Sequence, residues 1–241
     1  MAKLATVSST ADAAESLVAR AMQAVNAHIR DEGLRPGQPI SSESAFALEL
    51  GVSRAVVREA FRSLAAVGII EVGNGRRARV GGIDDTVLPL VLNHAVLTDQ
   101  VSVQQIYDVR RAIELRTVAL AALRRTPAQA AEILALTKNM ERDFDVPEKV
   151  KESDIAFHEA IARASRNPLF ALIVSAFRVV TEKTWYIGWT SRPTDAERHA
   201  NVLCHRRIAE AIERQDARGA EALMAEHFDN SVKALLAAGV T

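Results

Sequence analysis

The chain has 241 residues, 49% of them hydrophobic and 25% charged, which is enough for one large or two ordinary domains with buried cores. This composition excludes a disordered chain, a collagen and a small disulfide scaffold. Thirty basic residues balance thirty acidic ones, so any contact with nucleic acid must depend on a local basic patch. With the single cysteine Cys204, no recognisable signal peptide and no long apolar run, we expect a cytoplasmic protein without a membrane partner.

The distribution of glycine and proline indicates two domains. These residues divide the first part of the chain into short segments, whereas alanine, leucine, glutamate and arginine dominate the rest. We therefore predict domains over residues 1–82 and 83–241. The first domain is expected to open with a helix that is capped by Asp12 with Glu15 and ends at Gly33.

A helix-turn-helix followed by a hairpin is predicted next. Ser41 or Ser42 is suited to cap a second helix, Gly51 to end it, and Ser53 to cap a third helix that runs to about Val67. Two short β-prone runs then flank an Asn-Gly dipeptide, which predicts a hairpin with strands at 69–72 and 77–80. Three helices and a hairpin wing make a winged helix-turn-helix.

The second domain is predicted to be an all-α antiparallel helical bundle, which makes the whole chain mainly α. Apolar residues recur there at helical spacing, with proline or asparagine at several of the breaks. The predicted helices are 84–97, 102–124, 127–145, 147–164, 168–189, 195–214 and 216–238.

A basic patch accompanies the winged helix. Arg54 and Arg58 are four residues apart at the start of the third helix, where a recognition helix presents side chains to the major groove. Arginine recognises guanine through two parallel hydrogen bonds. Arg76, Arg77 and Arg79 in the wing are placed to contact phosphates or the minor groove. A solvated helix face is the alternative for any one of these arginines, but their concentration favours DNA.

Four side chains in the second domain have the chemistry of a metal site. Asp154 and His158 are four residues apart on one helix face, and His205 and His227 lie on the last two predicted helices. In an antiparallel bundle these groups are able to converge on a divalent cation, for which we expect zinc first, with nickel, manganese or iron as alternatives. On spacing alone, unrelated surface or core histidines remain the alternative.

The stretch LRPGQPISSESAFALELGVSRAVVREAFRSLAAVGIIEVGNGRRARV resembles the DNA-binding domain of the GntR family of bacterial transcription regulators. The resemblance implies a winged helix that binds operator DNA. The residues that we assign to DNA binding, partly from this resemblance and partly from the basic patch, are Glu43, Ser53, Arg54, Arg58, Gly75, Arg76 and Arg77. Ser44 stands where the family usually has a further DNA-contacting arginine, which implies an altered operator preference.

The second domain resembles the FCD domain of the FadR-type branch of that family, through YDVRRAIELRTVALAAL, SDIAFHEAIARASRNPLF and HRRIAEAIERQDARGAEALMAEHF. In metal-binding members, the aspartate and three histidines at these motif positions are ligands. The resemblance therefore implies a metal site formed by Asp154, His158, His205 and His227. It also implies that Arg110 faces the effector pocket, where it is suited to pair with a carboxylate.

Together these features predict a homodimeric transcription regulator, a repressor by the common behaviour of the family, that binds a pseudo-palindromic operator in the bacterial nucleoid. A small carboxylic or sugar acid at the metal site is expected to control operator affinity. The alternative from another class is a metalloenzyme, acting on an organic acid, fused to a DNA-binding module. No enzyme is expected, because the only partial protease motif, His158-Glu159, has Ala162 in place of the second histidine.

Overall fold

The computed structural model describes residues 5–73, 76–83 and 86–240, with side chains from Leu17 onward. The chain divides into two compact units, Met1–Val87 and Leu88–Thr241. Separate hydrophobic cores lie in the two units. Among the described residues, no helix has the length and hydropathy needed to cross a membrane.

The first unit is a winged helix-turn-helix, as predicted. Its elements are α1 (Ala5–Asp31), α2 (Glu43–Leu50), α3 (Arg54–Ala66), β1 (Ile70–Glu71) and β2 (Arg79–Val80). Helices α1 and α2 both pack against α3, and β1 pairs antiparallel with β2. The core between them is formed mainly by Val25, Ile40, Phe46, Val57, Phe61, Leu64, Ile70 and Val80.

The prediction that α1 is capped at Asp12 is wrong, because the helix already begins at Ala5. Asp12 therefore lies inside the helix rather than at its end. Ala11, Ala13 and Ala14 flank Asp12 and favour helix there, since alanine has the highest intrinsic helix propensity.

Serine caps and one glycine define the turn of the helix-turn-helix, as predicted. Ser42 Oγ accepts a hydrogen bond from Ala45 N at 3.2 Å, and Ser53 Oγ accepts one from Val56 N at 3.3 Å. Between these caps, Gly51 ends α2 with φ +64°, a left-handed conformation that glycine adopts without steric cost. The recognition helix α3 therefore starts at a fixed position after a three-residue turn.

The wing is shorter than the predicted hairpin, with two residues in each strand, and Ile70 lies opposite Val80. The Asn-Gly dipeptide of the predicted turn lies outside the described residues. Beyond β2 the chain returns close to the end of α3, where Gly81 N donates to Ile69 O at 2.9 Å. A Cβ atom at Gly81 would lie 2.0 Å from Gly68 O, so only glycine fits there.

The second unit is a helical bundle, as predicted. Helix α5 packs against α7, α10 and α11, and α6 packs against α7 and α10. The helices of this unit are α4 (Val87–Leu97), α5 (Val103–Arg124), α6 (Pro127–Arg142), α7 (Pro147–Ala164), α8 (Pro168–Ala176), α9 (Arg178–Thr190), α10 (Asp195–Glu213) and α11 (Ala217–Ala237). Asn167 caps α8, because its Oδ1 accepts a hydrogen bond from Leu169 N at 3.1 Å.

The single helix predicted over 168–189 is wrong, since α8 and α9 are separate helices that meet at Phe177. The backbone N–H of Phe177 donates to Val174 O, three residues back, at 3.2 Å. This tighter turn interrupts the i to i−4 pattern of an α-helix. Because apolar residues continue through the turn, hydrophobic spacing does not reveal the break.

Candidate functional sites in the two units

The recognition helix presents the predicted DNA-binding arginines to solvent. Arg54 and Arg58 are both exposed, one turn apart, at the N-terminal end of α3. The opposite face of the helix is anchored by the buried side chains of Val57, Phe61 and Leu64. Because this buried face packs in the core of the unit, the arginines on the other face point to solvent, where a ligand outside the unit could contact them.

Glu43 forms an ion pair with Arg58, at 3.3 Å between Glu43 Oε2 and Arg58 Nε. The pair joins the first residue of α2 to the second turn of α3. A carboxylate repels phosphate, so the geometry favours a role for Glu43 in orienting Arg58 rather than in contacting DNA directly. Ser53 is engaged as the cap of α3.

The wing contributes further exposed arginines. Arg76 and Arg77 are exposed ahead of β2, whereas Gly75 lies outside the described residues. Arg79 Nη1 donates to Gly37 O at 2.5 Å, which ties the wing strand to the loop before α2. Within the described part of the basic patch, Arg58 pairs with Glu43 and Arg79 stabilises the wing, whereas Arg54, Arg76 and Arg77 are exposed.

In the helical unit, the structure brings together the histidines of three different helices. His158 of α7, His205 of α10 and His227 of α11 are buried, and each offers a ring nitrogen within 4.8 Å of the others. The ring centroids of His205 and His227 are 4.5 Å apart. Convergence of imidazoles at this distance is what a shared cation requires.

Asp154, one turn before His158, completes the predicted set of four. Its Oδ1 lies 2.6 Å from His205 Nε2, but this nitrogen has no hydrogen-bond partner among the described residues. We attribute the difference to geometry, because the two atoms are close without the alignment of a hydrogen bond. Burial alone would raise the pKa of Asp154, but His205 beside it holds that pKa well below its usual value, so the carboxylate is ionised.

The second nitrogen of His205 fixes the orientation of its ring. His205 Nδ1 lies 2.9 Å from the backbone carbonyl of Asn201 and donates to it as the protonated nitrogen. The nitrogen that faces Asp154 and the other histidines is then Nε2, which would bind a metal ion after losing any proton it carries. A ring held by a backbone carbonyl in this way is typical of a metal ligand.

His227 gives the clearest indication that a cation fits. Its Nδ1 is buried without a hydrogen-bond partner among the described residues. Burial and the neighbouring imidazoles lower the pKa of His227 well below its usual value, so the ring is neutral. The neutral ring of His227, two further imidazoles and one carboxylate in a buried cluster are a donor set for a divalent metal ion.

Sequence reasoning missed Glu114, although it is central to the site. One oxygen of this carboxylate accepts from Arg110 Nε at 3.0 Å, and the other contacts His158 Nδ1. All three side chains are buried. Burial alone would lower the pKa of His158, but Glu114 raises it. The available indication in the sequence was the spacing of Arg110 and Glu114, four residues apart on one helix.

A cavity of about 50 Å³ lies beside the histidine cluster. Arg110, Asp154, His158 and His227 line it, so the predicted effector-binding arginine and three of the four predicted ligands share one space. The lining that sequence reasoning did not assign consists of Tyr107, Thr181, Thr184, Trp185, Gly188, Trp189, Arg192, Asn201, Phe228, Ser231 and Leu235. The rings of Trp185 and Trp189 stack with their centroids 5.0 Å apart. Both side chains pack in the hydrophobic core and also line the cavity.

Comparison with protein families matches both units. A model described as "Bacterial regulatory proteins, gntR family" matches residues 17–80, and a model of the FCD domain matches residues 105–230. These families and the relatives below are transcription regulators, which is evidence against the metalloenzyme alternative.

Individual relatives agree with the family models. The chain is 32% identical to the HTH-type transcriptional regulator LutR of Bacillus subtilis, over 84% of this chain and 93% of the relative. It is 31% identical to the galactonate operon transcriptional repressor of Escherichia coli, over 77% of this chain and 82% of the relative. Among solved structures, Streptococcus agalactiae GntR has the same fold, with a TM-score of 0.63, 23% identity, and coverage of 88% of this chain and 97% of that chain.

Proposed function

This chain belongs to the GntR family of bacterial transcription regulators and carries an FCD domain, and on that premise we propose that it is a repressor whose operator affinity is controlled by a small organic acid. The observation that carries the proposal is the buried cluster of His158, His205 and His227 beside a cavity that Arg110 also lines. Unpartnered nitrogens and a guanidinium in one space are suited to a metal ion and an anion.

The metal ion would be held by Asp154, His158, His205 and His227. Zinc is our first expectation, because this ligand set supplies nitrogen and carboxylate donors, and nickel, manganese or iron suit it as well. When bound, a divalent ion supplies a fixed positive charge and open coordination positions for carboxylate and hydroxyl oxygens. Glu114 holds the ring of His158 from the opposite side.

Arg110 provides the polar wall of the effector site. Its guanidinium is fixed by Glu114, by Thr181 Oγ1 at 2.7 Å and by the faces of Tyr107 and Phe228, at 5.2 and 5.4 Å from the ring centroids. Because these contacts hold the group rigidly, little conformational entropy is lost when an acid binds beside it. The name of one relative includes the galactonate operon, and galactonate is a sugar acid, which supports an acid as the effector class.

The DNA-binding unit would read an operator through α3. Arg54 and Arg58 would contact base edges in the major groove, while Arg76 and Arg77 would contact phosphates. One short recognition helix reads too few base pairs for a specific site, so we propose a homodimer on a pseudo-palindromic operator. Operator binding would keep the protein with the DNA, in the bacterial cytoplasm.

Control of DNA binding requires that the acid prefers one arrangement of the dimer. An effector releases the operator only if its affinity is higher for the arrangement in which the two recognition helices do not match the half-site spacing. We therefore expect the acid to lower operator affinity, which is the behaviour of a repressor relieved by its inducer.

The test starts from a pool of random double-stranded DNA, from which the zinc-loaded full chain selects its binding sites. Fluorescence anisotropy then measures the affinity for a selected site with and without a panel of hydroxycarboxylic and sugar acids. We expect a palindromic site, and an acid that weakens binding only when zinc is present. A selected site whose affinity no acid changes would contradict control by an acid, and failure to select any site would contradict operator binding.

A further inference from the structure

Arg192, in the segment between α9 and α10, is a second arginine in the wall of the cavity. It lines the same space as Arg110, His158 and His227. Together with Asn201 and His227, it also lines an open groove that faces the outside of the unit. Arg192 therefore stands between the histidine cluster and the surface from which a ligand would arrive.

The two arginines differ in the charge of their partners. The Arg110 guanidinium is paired with a buried carboxylate, that of Glu114, at 3.0 Å. The Arg192 guanidinium donates to neutral acceptors, the carbonyl oxygen of Gly188 and Asn201 Oδ1, the latter at 3.3 Å. Among the described residues, no carboxylate forms an ion pair with Arg192. The carboxylates of Asp154 and Glu197 attract this guanidinium from a distance, but neither forms a direct contact with it, so its donors are open to an anion.

Because Arg192 is partly buried, its charge is less hydrated and interacts more strongly with a bound anion. Burial lowers the pKa of Arg192, but a guanidinium stays protonated at neutral pH. A partly buried guanidinium whose direct hydrogen-bond partners are neutral is stabilised when an anion replaces those partners. A carboxylate matches it well, because two parallel N–H donors meet two oxygens.

We propose that Arg192 binds one anionic group of the effector, and that the effector is a short organic acid with two anionic groups, of which the other binds at the histidine cluster. This inference rests on the proposed function, because it deepens the assignment of the cavity as an acid site. The cavity has a volume of about 50 Å³, and one water molecule needs about 10 to 15 Å³ of such volume. The cavity therefore has room for several water-sized groups, which suits a short acid.

The test compares two acids with the same carbon chain, L-malate and (S)-2-hydroxybutanoate, which differ by a second carboxylate in place of a methyl group. Isothermal titration calorimetry measures both on zinc-loaded full chain. We expect wild-type protein to prefer malate, and Arg192→Met to weaken malate binding by about 10- to 100-fold while 2-hydroxybutanoate binding stays nearly unchanged. Arg192→Lys keeps the charge but loses the two parallel N–H donors, so its affinity for malate should lie between those of wild type and Arg192→Met.

Arg206→Met is the matched control, because Arg206 is an arginine of α10 that pairs with Glu141 and Glu210 outside the cavity. Zinc content and thermal melting of each variant show whether the site and fold persist. Malate binding that Arg192→Met leaves unchanged would overturn this inference alone, as would a wild-type preference for the monoacid. If wild-type protein binds neither these acids nor tartrate or citrate, the proposed acid sensing is overturned as well.

Discussion

Glu114 Oε1 accepts a hydrogen bond from Arg110 Nε at 3.0 Å, and both side chains are buried in the helical unit. Because its other oxygen contacts His158, this carboxylate joins an arginine of the effector cavity to one of the candidate metal ligands. An anion that binds beside Arg110 would therefore change the electrostatic environment of His158 through Glu114. The proposed metal site and the proposed effector site therefore share one hydrogen-bonded group of side chains.

Replacement of this carboxylate should affect both stability and metal binding. We expect Glu114→Gln to lower the free energy of unfolding by about 3 to 5 kcal/mol, because the charge of Arg110 is left buried without its counter-charge. We also expect zinc affinity to fall by about 10- to 100-fold, since His158 loses the partner that holds its ring. Urea unfolding of the zinc-free chain measures the first effect, and competition with a chelator measures the second.

Glu132→Gln is the control for this variant, because Glu132 pairs with Arg163 at 2.8 Å on the surface. An exposed pair contributes about 0 to 1 kcal/mol, so its loss should be small. Equal effects of the two substitutions would contradict the role that we assign to Glu114.

Removal of an exposed recognition arginine should weaken DNA binding without unfolding the protein. For Arg58→Ala we expect a loss of about 1 to 3 kcal/mol in binding to a selected DNA site, with an unchanged melting temperature. Arg30→Ala is the control, since Arg30 is an exposed arginine of the same unit that pairs with Asp31. Anisotropy titrations in which Arg58→Ala binds as tightly as Arg30→Ala would remove α3 from the interface.

The close approach of Gly81 to α3 predicts a sharp difference between neighbouring glycines. In Gly81→Ala the new methyl group would lie 2.0 Å from the backbone carbonyl of Gly68, which has no flexible side chain to move aside. We expect a loss of about 1 to 3 kcal/mol in stability and weaker DNA binding, because the wing must shift. In Gly82→Ala nothing described lies within 4 Å, so its melting curve should match wild type. Similar curves for both variants would contradict this geometry.

Cys204 should be an unreactive thiol that takes no part in the metal site. Burial raises its pKa to about 11, from a reference value of 9.0. Since the thiolate is the reactive form, a rise of two units slows alkylation at pH 8 by about 100-fold relative to the unfolded chain. Iodoacetamide labelling in buffer and in urea measures this ratio, and removal of zinc should not change it. Rapid labelling of the native chain, or labelling that responds to zinc, would show a different environment.

The local structure was largely predictable because it depends on nearby residues. Ser42, Gly51 and Ser53 define the helix-turn-helix through hydrogen bonds and a backbone conformation that lie within a few residues of each cap. The break at Phe177 was not predictable, since an apolar run continues through it and only its packing in the folded unit marks it.

Residue types and motifs identified candidate site residues, but they did not show how these residues come together. His158, His205 and His227 were candidates because imidazole is a typical metal ligand, although their convergence depends on how three helices pack. Glu114 and Arg192 were missed because a charged residue on a helix or in a loop is usually solvated. Only the folded unit shows that Glu114 contacts His158, 44 residues away, and that Arg192 lines the same cavity as Arg110.

The most direct test is the zinc content of freshly purified full chain, measured by inductively coupled plasma mass spectrometry beside two histidine variants. We predict about one ion per chain for wild type and for His199→Ala, whose histidine is exposed on the same helix, and a large loss for His205→Ala with an intact fold. Wild-type protein without bound metal after incubation with zinc, or full metal content in His205→Ala, would contradict a metal centre at this cluster.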